Sequence, residues 1–114
     1  MKLFLNSQRE ALIKNHRINE DRTANYDPFP VVKLFTPDAN AAWLLTELDP
    51  SDNVLFGLCD LGLGFAELGS VSLDEIEAFR GPFGLPIERD RFFEANRPLS
   101  HYAVDAAKLG YIPA

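Results

Sequence analysis

The chain has a single cysteine, Cys59, among its 114 residues. One thiol excludes an intrachain disulfide framework and points to a reducing compartment. Histidine is nearly as scarce. His16 and His101 each lack a second ligand at metal-binding spacing, so neither a metal site nor a cofactor is expected. No apolar run approaches the roughly eighteen residues of a membrane span, so no membrane association is expected. Met1-Lys2-Leu3-Phe4-Leu5 turns polar at Asn6-Ser7-Gln8-Arg9-Glu10, too early for a secretory leader, and the chain reads as cytoplasmic. Phosphate-binding loops are missing as well. No GxxxxGK[ST] stretch exists, and Gly62-Leu63-Gly64 has Glu67 where a dinucleotide fingerprint needs its third glycine, so it reads as a turn.

The most telling scarcity is of positive charge. Residues 34–79 carry nine acidic side chains and no lysine or arginine, whereas the flanks carry a net +2 (residues 1–33) and +1 (residues 80–114). An uninterrupted acidic block argues against binding a nucleic-acid backbone, which needs clustered cations. Either the block sets up a negative field for a protein partner, or it only keeps sheet and turns soluble.

What is present fits one globular domain: 46% hydrophobic and 25% charged residues in a length that can bury a core unaided. Ser7-Gln8-Arg9-Glu10 has capping-box spacing and predicts a helix from about Ser7 to Asn15, followed by a polar loop from His16 to Pro30. That loop is expected to be the most mobile segment. Short β-prone runs follow at Val31–Phe35, Ala42–Leu48, Val54–Cys59 and Phe65–Val71, separated by turn residues. Short connections favour antiparallel neighbours. Ser72-Leu73-Asp74-Glu75 is a second capping box, for a helix running to Arg80 and ended by Gly81-Pro82. Ile87–Phe93 reads as a half-exposed strand, and Pro98 suits the first turn of a closing helix that Gly110 terminates. The predicted class is α+β: a small, mostly antiparallel sheet of four or five strands with two or three helices. Residues 1–30 form an N-terminal helix and loop, 31–100 a core, and 98–110 the closing helix.

Three ordered stretches within residues 31–100 carry a family resemblance. Lys33-Leu34-Phe35-Thr36-Pro37-Asp38-Ala39-Asn40 leads to Trp43 and Thr46-Glu47. Phe56-Gly57-Leu58 precedes Glu67-Leu68-Gly69 and Ser72-Leu73-Asp74-Glu75-Ile76. Arg80-Gly81-Pro82-Phe83-Gly84-Leu85-Pro86-Ile87-Glu88-Arg89-Asp90 ends in Phe92-Phe93. In these stretches the chain resembles domain of unknown function 2958, a family of small bacterial, plasmid and phage proteins. Many members place an aromatic residue two positions before the tryptophan, where this chain has Ala41. The resemblance implies a setting on mobile elements and carries no established activity, so no catalytic residue is transferred.

Candidate binding residues are Asp38, Asn40, Trp43, Glu67 and Arg89. Trp43 is either core or an exposed anchor for a partner. Glu88-Arg89-Asp90-Arg91 is the most pointed cluster, since strand alternation sends Glu88 and Asp90 to one face. The two carboxylates are candidates for acid–base work beside Arg89. Alternatively, Arg89 pairs with Asp38, Glu47 or Glu67 and locks the loop after Pro86. Cys59 reads as a small core hydrophobe rather than a nucleophile. The leading expectation is a non-enzymatic protein-binding module of a mobile genetic element. A sharper version makes it an acidic nucleic-acid mimic acting on a host defence or DNA-processing protein, which requires carboxylates ordered along one face. The alternatives are a small enzyme using Glu88, Asp90 and Arg89, and a structural subunit of a larger assembly.

Overall fold

Strands β1 (Val32–Phe35), β2 (Ala42–Asp49), β3 (Val54–Asp60) and β4 (Ala66–Ser72) follow one another through short turns, so each pairs antiparallel with the next. A two-residue strand, β5 (Glu88–Arg89), returns to the far side of β1 and completes a five-stranded antiparallel sheet in the order β4-β3-β2-β1-β5. The structure, a computed structural model, describes residues 3–20 and 26–114. Within them are three helices, α1 (Asn6–Glu20), α2 (Leu73–Ala78) and α3 (Leu99–Leu109), so the chain is a small α+β protein. None of these helices is long and apolar enough to cross a membrane.

The sheet is covered on both faces, which explains why six consecutive positions of β2, from Trp43 to Leu48, are buried. Trp43, Leu45 and Leu48 point to one side with Val32, Leu34 and Leu55, where Leu12 of α1 and Leu73 and Ile76 of α2 close over them. Leu44 points the other way, with Leu58, onto Leu99, Tyr102 and Ala106 of α3. Alternation breaks at Thr46, where the β2–β3 register shifts between Leu45 and Glu47. This bulge brings the β2 backbone over Gly57: a Cβ there would lie 2.0 Å from the Leu44 carbonyl oxygen, so only glycine fits.

Four expected boundaries move. The first helix begins at Asn6 and continues to Glu20, absorbing His16–Glu20 from the expected loop; residues 21–25 of that loop lie outside the described residues. Its start is set by Gln8 and not by Ser7: the Leu5 N–H donates to Gln8 Oε1 at 2.9 Å, and Leu5 O receives the Arg9 N–H. The helix extends because nothing between Asn15 and Glu20 breaks it, and Asn15 donates to the Thr46 carbonyl at 2.9 Å where β1 no longer covers β2. The second helix uses the Ser72 cap as expected, accepting the Glu75 N–H at 3.2 Å, but stops at Ala78, ahead of Gly81. The fifth strand stops at Arg89 because Asp90 folds a turn, its carboxylate accepting the Phe92 N–H and its carbonyl the Phe93 N–H. Finally, Pro98 is the N-cap of α3 and has no side chain to cap with. Asp27 supplies the cap from a distance, accepting from the N–H and hydroxyl of Ser100.

Candidate functional site

Register fixes where the sequence candidates fall. Arg89 stands opposite Leu34, Leu34 opposite Trp43, Trp43 opposite Cys59, and Cys59 opposite Glu67, one row across the sheet. Directly opposed residues share a face, so Trp43, Glu67 and Arg89 do lie in line. Four strand spacings separate Arg89 from Glu67, about 19 Å. The expected pairing of Arg89 with Asp38, Glu47 or Glu67 does not form. Arg89 instead donates to the Leu3 carbonyl at 3.0 Å and ties the start of the chain to β5. Trp43 is only 4% exposed, so it is a core residue and not a surface anchor, and its indole N–H finds no acceptor among the described residues. Leaving a buried donor unpaired costs about 1–3 kcal/mol.

The loop after α2 is locked from another direction. Asp38, in the β1–β2 turn, packs over Gly81 and accepts the N–H groups of Phe83 (2.9 Å) and Leu85 (3.3 Å). Its neighbour Asn40 lies against Gly62 of the β3–β4 turn. The Glu88–Arg91 cluster lines a shallow cleft with Lys33, Phe35 and Phe92. Asp90 is occupied there, 3.7 Å from the Lys33 ammonium and holding its own turn. Glu88 and Asp90 therefore share a side, as alternation predicts, but Asp90 and Arg89 are engaged in holding the chain together.

Eight of the nine acids of the block fall into three groups; the ninth, Glu77, lies in α2. Glu47 and Asp60 are buried, and Asp38 holds the loop just described. A second group gathers around the β2–β3 turn: Asp49 and Asp52 lie on it, and the Leu73 N–H bonds to Asn53 O at 2.9 Å, which brings Asp74 and Glu75 to the same end. His16 faces this group from α1, 2.8 Å from Glu20, 3.7 Å from Glu47 and 3.8 Å from Asp49. Asn19 donates to Glu47 at 3.1 Å. Nothing in the sequence spacing joins His16 to residues thirty positions away. Glu67 stands apart on β4. The carboxylates thus form neither one ordered face nor an even scatter.

Cys59 is half-buried, and loss of solvation pushes its thiol from 9.0 up to about 11. A thiol held protonated is a poor nucleophile, in keeping with a packing role.

The opposite end of the sheet is built differently. Asp60, at the last position of β3, accepts the Gly62 N–H (2.9 Å) with one oxygen and the Ile112 N–H (3.2 Å) with the other. One buried carboxylate thereby ties the β3–β4 turn to the segment following α3. The contact is tight: Gly110 ends α3 in the left-handed region, and a Cβ on it would stand 2.7 Å from Gly64 O. Each of these two glycines is flanked by large apolar residues. Leu63, Phe65, Leu109 and Tyr111 flank the glycine contact along the chain and remain between 51% and 67% exposed, as does Leu61 ahead of the same turn. From sequence alone, Gly62-Leu63-Gly64 reads only as a turn and Gly110 only as the stop of the closing helix. The signal was the pattern apolar-Gly-apolar at two turns, meaningful only once the turns are known to touch.

A family model described as a protein of unknown function, DUF2958, matches residues 3–113. No curated protein and no solved structure matches the chain.

Proposed function

The chain belongs to the DUF2958 family of proteins of unknown function, and from that premise we propose a non-enzymatic, protein-binding role for it as a cytoplasmic accessory module of a mobile genetic element. The docking surface is the apolar end formed by Leu61, Leu63, Phe65, Leu109 and Tyr111, and the partner is a protein presenting an apolar pocket or groove. The observation that carries this reading is the bracing by Asp60: five large apolar side chains are left in water on two turns that a buried carboxylate holds rigid. Scattered exposed hydrophobics are ordinary, whereas a contiguous group marks an interaction site. Rigidity matters because ordering loops on association consumes affinity.

The acidic-mimic version draws less support, since three of the nine central carboxylates are engaged internally and the rest lie mainly around one turn. The enzymatic alternative loses its parts, because Arg89 and Asp90 are committed to the chain itself.

The test is a paired capture from the native host with wild-type bait and a Leu63→Ser/Tyr111→Ser bait. Two hot-spot residues at about 2 kcal/mol each sum to about 4 kcal/mol, so removing both weakens binding by roughly a thousandfold. A partner held by both baits alike refutes the assignment.

A further inference from the structure

The two edges of the sheet are unlike. β5 is two residues long, follows Pro86, and carries charge at Glu88, Arg89, Asp90 and Arg91 around it, all features that deter edge pairing. β4 is seven residues long, has no proline or lysine, and bears one charge, Glu67. Among the described residues nothing pairs with its outer side.

The direction of its free backbone groups follows from the ladder. Thr46 Oγ1 donates to the Phe56 carbonyl, so Phe56 faces β2, and its neighbours Leu55, Gly57 and Cys59 face β4. Their partners Val71, Gly69 and Glu67 face back. The N–H and C=O groups of Ala66, Leu68 and Ser70 therefore point outward.

We propose that β4 pairs antiparallel with β4 of a second copy of this chain, about a two-fold axis at Gly69, making one ten-stranded sheet. Self-pairing is favoured over any other strand because this edge is complementary to itself. Only a register centred on Gly69 overlaps all of Ala66–Ser72. It sets Leu68 against Ser70 of the second copy, both with outward-facing backbone groups, so these form hydrogen-bonded pairs. Gly69 meets Gly69 in the close, non-bonded position, where nothing stands within 4 Å of an added Cβ. Glu67 falls opposite Val71, so no like charges oppose. Leu68, 50% exposed in the single chain, gains Leu68 of the second copy as its diagonal neighbour. The axis lies on β4, away from the glycine contact between the two turns, so each copy keeps its apolar end.

The experiment combines mass and register. Light scattering over a concentration series is expected to give twice the monomer mass for the wild type. Leu68→Lys and Ser70→Pro are expected to give the monomer mass with an unchanged circular dichroism spectrum, since proline is tolerated where an N–H faces solvent. In a Cys59→Ala background, Gly69→Cys is expected to form an intermolecular disulfide under mild oxidation, because opposed Cα atoms in a non-bonded antiparallel pair lie about 4.5 Å apart. Ser70→Cys, opposed to leucine, is expected to stay reduced under the same conditions. A wild type that remains monomeric at the highest concentration reached overturns the proposal, as do equal disulfide yields at positions 69 and 70. A monomer that captures an extended peptide at this edge overturns self-pairing also.

Discussion

Gly57→Ala tests the bulge at the centre of the fold. At an ordinary strand position, replacing glycine by alanine stabilises by some tenths of a kcal/mol through the unfolded chain. Here the new methyl would stand 2.0 Å from Leu44 O, 2.8 Å from Leu45 Cα and 2.9 Å from Leu44 C. All three are backbone atoms of a central strand. Reaching ordinary contact requires β2 to withdraw by more than an ångström, which strains or breaks ladder bonds on either side of the bulge. Overpacking of a well-packed interior costs about 1–3 kcal/mol, and each lost backbone bond adds about 1 kcal/mol. We expect a loss of about 3–4 kcal/mol by urea unfolding, with the midpoint of thermal unfolding lowered by about 10–15 °C. Gly69→Ala, measured at concentrations low enough to keep the chain monomeric, is the control, since no atom of the same chain lies within 4 Å of its added Cβ and the change should be within about 0.5 kcal/mol. A Gly57→Ala variant as stable as the control refutes the close approach of β2 and with it the bulge geometry that buries Thr46.

Asp60→Ala leaves the buried Ile112 N–H and the Gly62 N–H without their acceptor; we expect a loss of about 2–4 kcal/mol by urea unfolding and faster amide exchange at residues 61–65 and 110–112. Cys59 gives a pH signature whose sign follows from its raised value. Below pH 9 the thiol is protonated in both states and contributes no pH dependence, whereas between 9 and about 11 only the unfolded chain ionises, so stability falls across that window. The urea midpoint of the wild type should therefore decline more steeply from pH 9 to 11 than that of Cys59→Ala, and parallel curves would contradict the burial of the thiol.

Local chemistry carries a good share of this fold. The first three strands of the meander are readable from β-branched, aromatic and leucine-rich runs bounded by turn residues, the fourth mainly from the turns on either side, and each lies within a residue or two of its expected limits. The Ser72 cap and the Gly110 stop are local signals too, complete within four residues of sequence. What the sequence did not disclose depends on chain segments meeting in space. The length of α1 follows from Asn15 finding a bare carbonyl on β2, and the start of α3 from Asp27 reaching Ser100. The short β5 follows from Asp90 preferring its own turn. The candidate site shows the same division. Aligning Arg89, Trp43 and Glu67 in a row required the register, which then separates the charged pair that sequence reasoning wished to join. The apolar end required knowing that Gly64 and Gly110 touch, a fact that no periodicity encodes.

The central claim, that the apolar end docks a partner protein, is tested most directly by capture from the native host across a salt series with the wild type and Leu63→Ser/Tyr111→Ser baits. Apolar association survives high salt, whereas attraction between exposed charges is screened away. The expected result is a partner retained by the wild type through high salt and absent from the double variant, with both baits equally folded. A partner released by moderate salt and held equally by both baits would contradict it and transfer the binding role to the carboxylates around Asp49, Asp52 and Asp74.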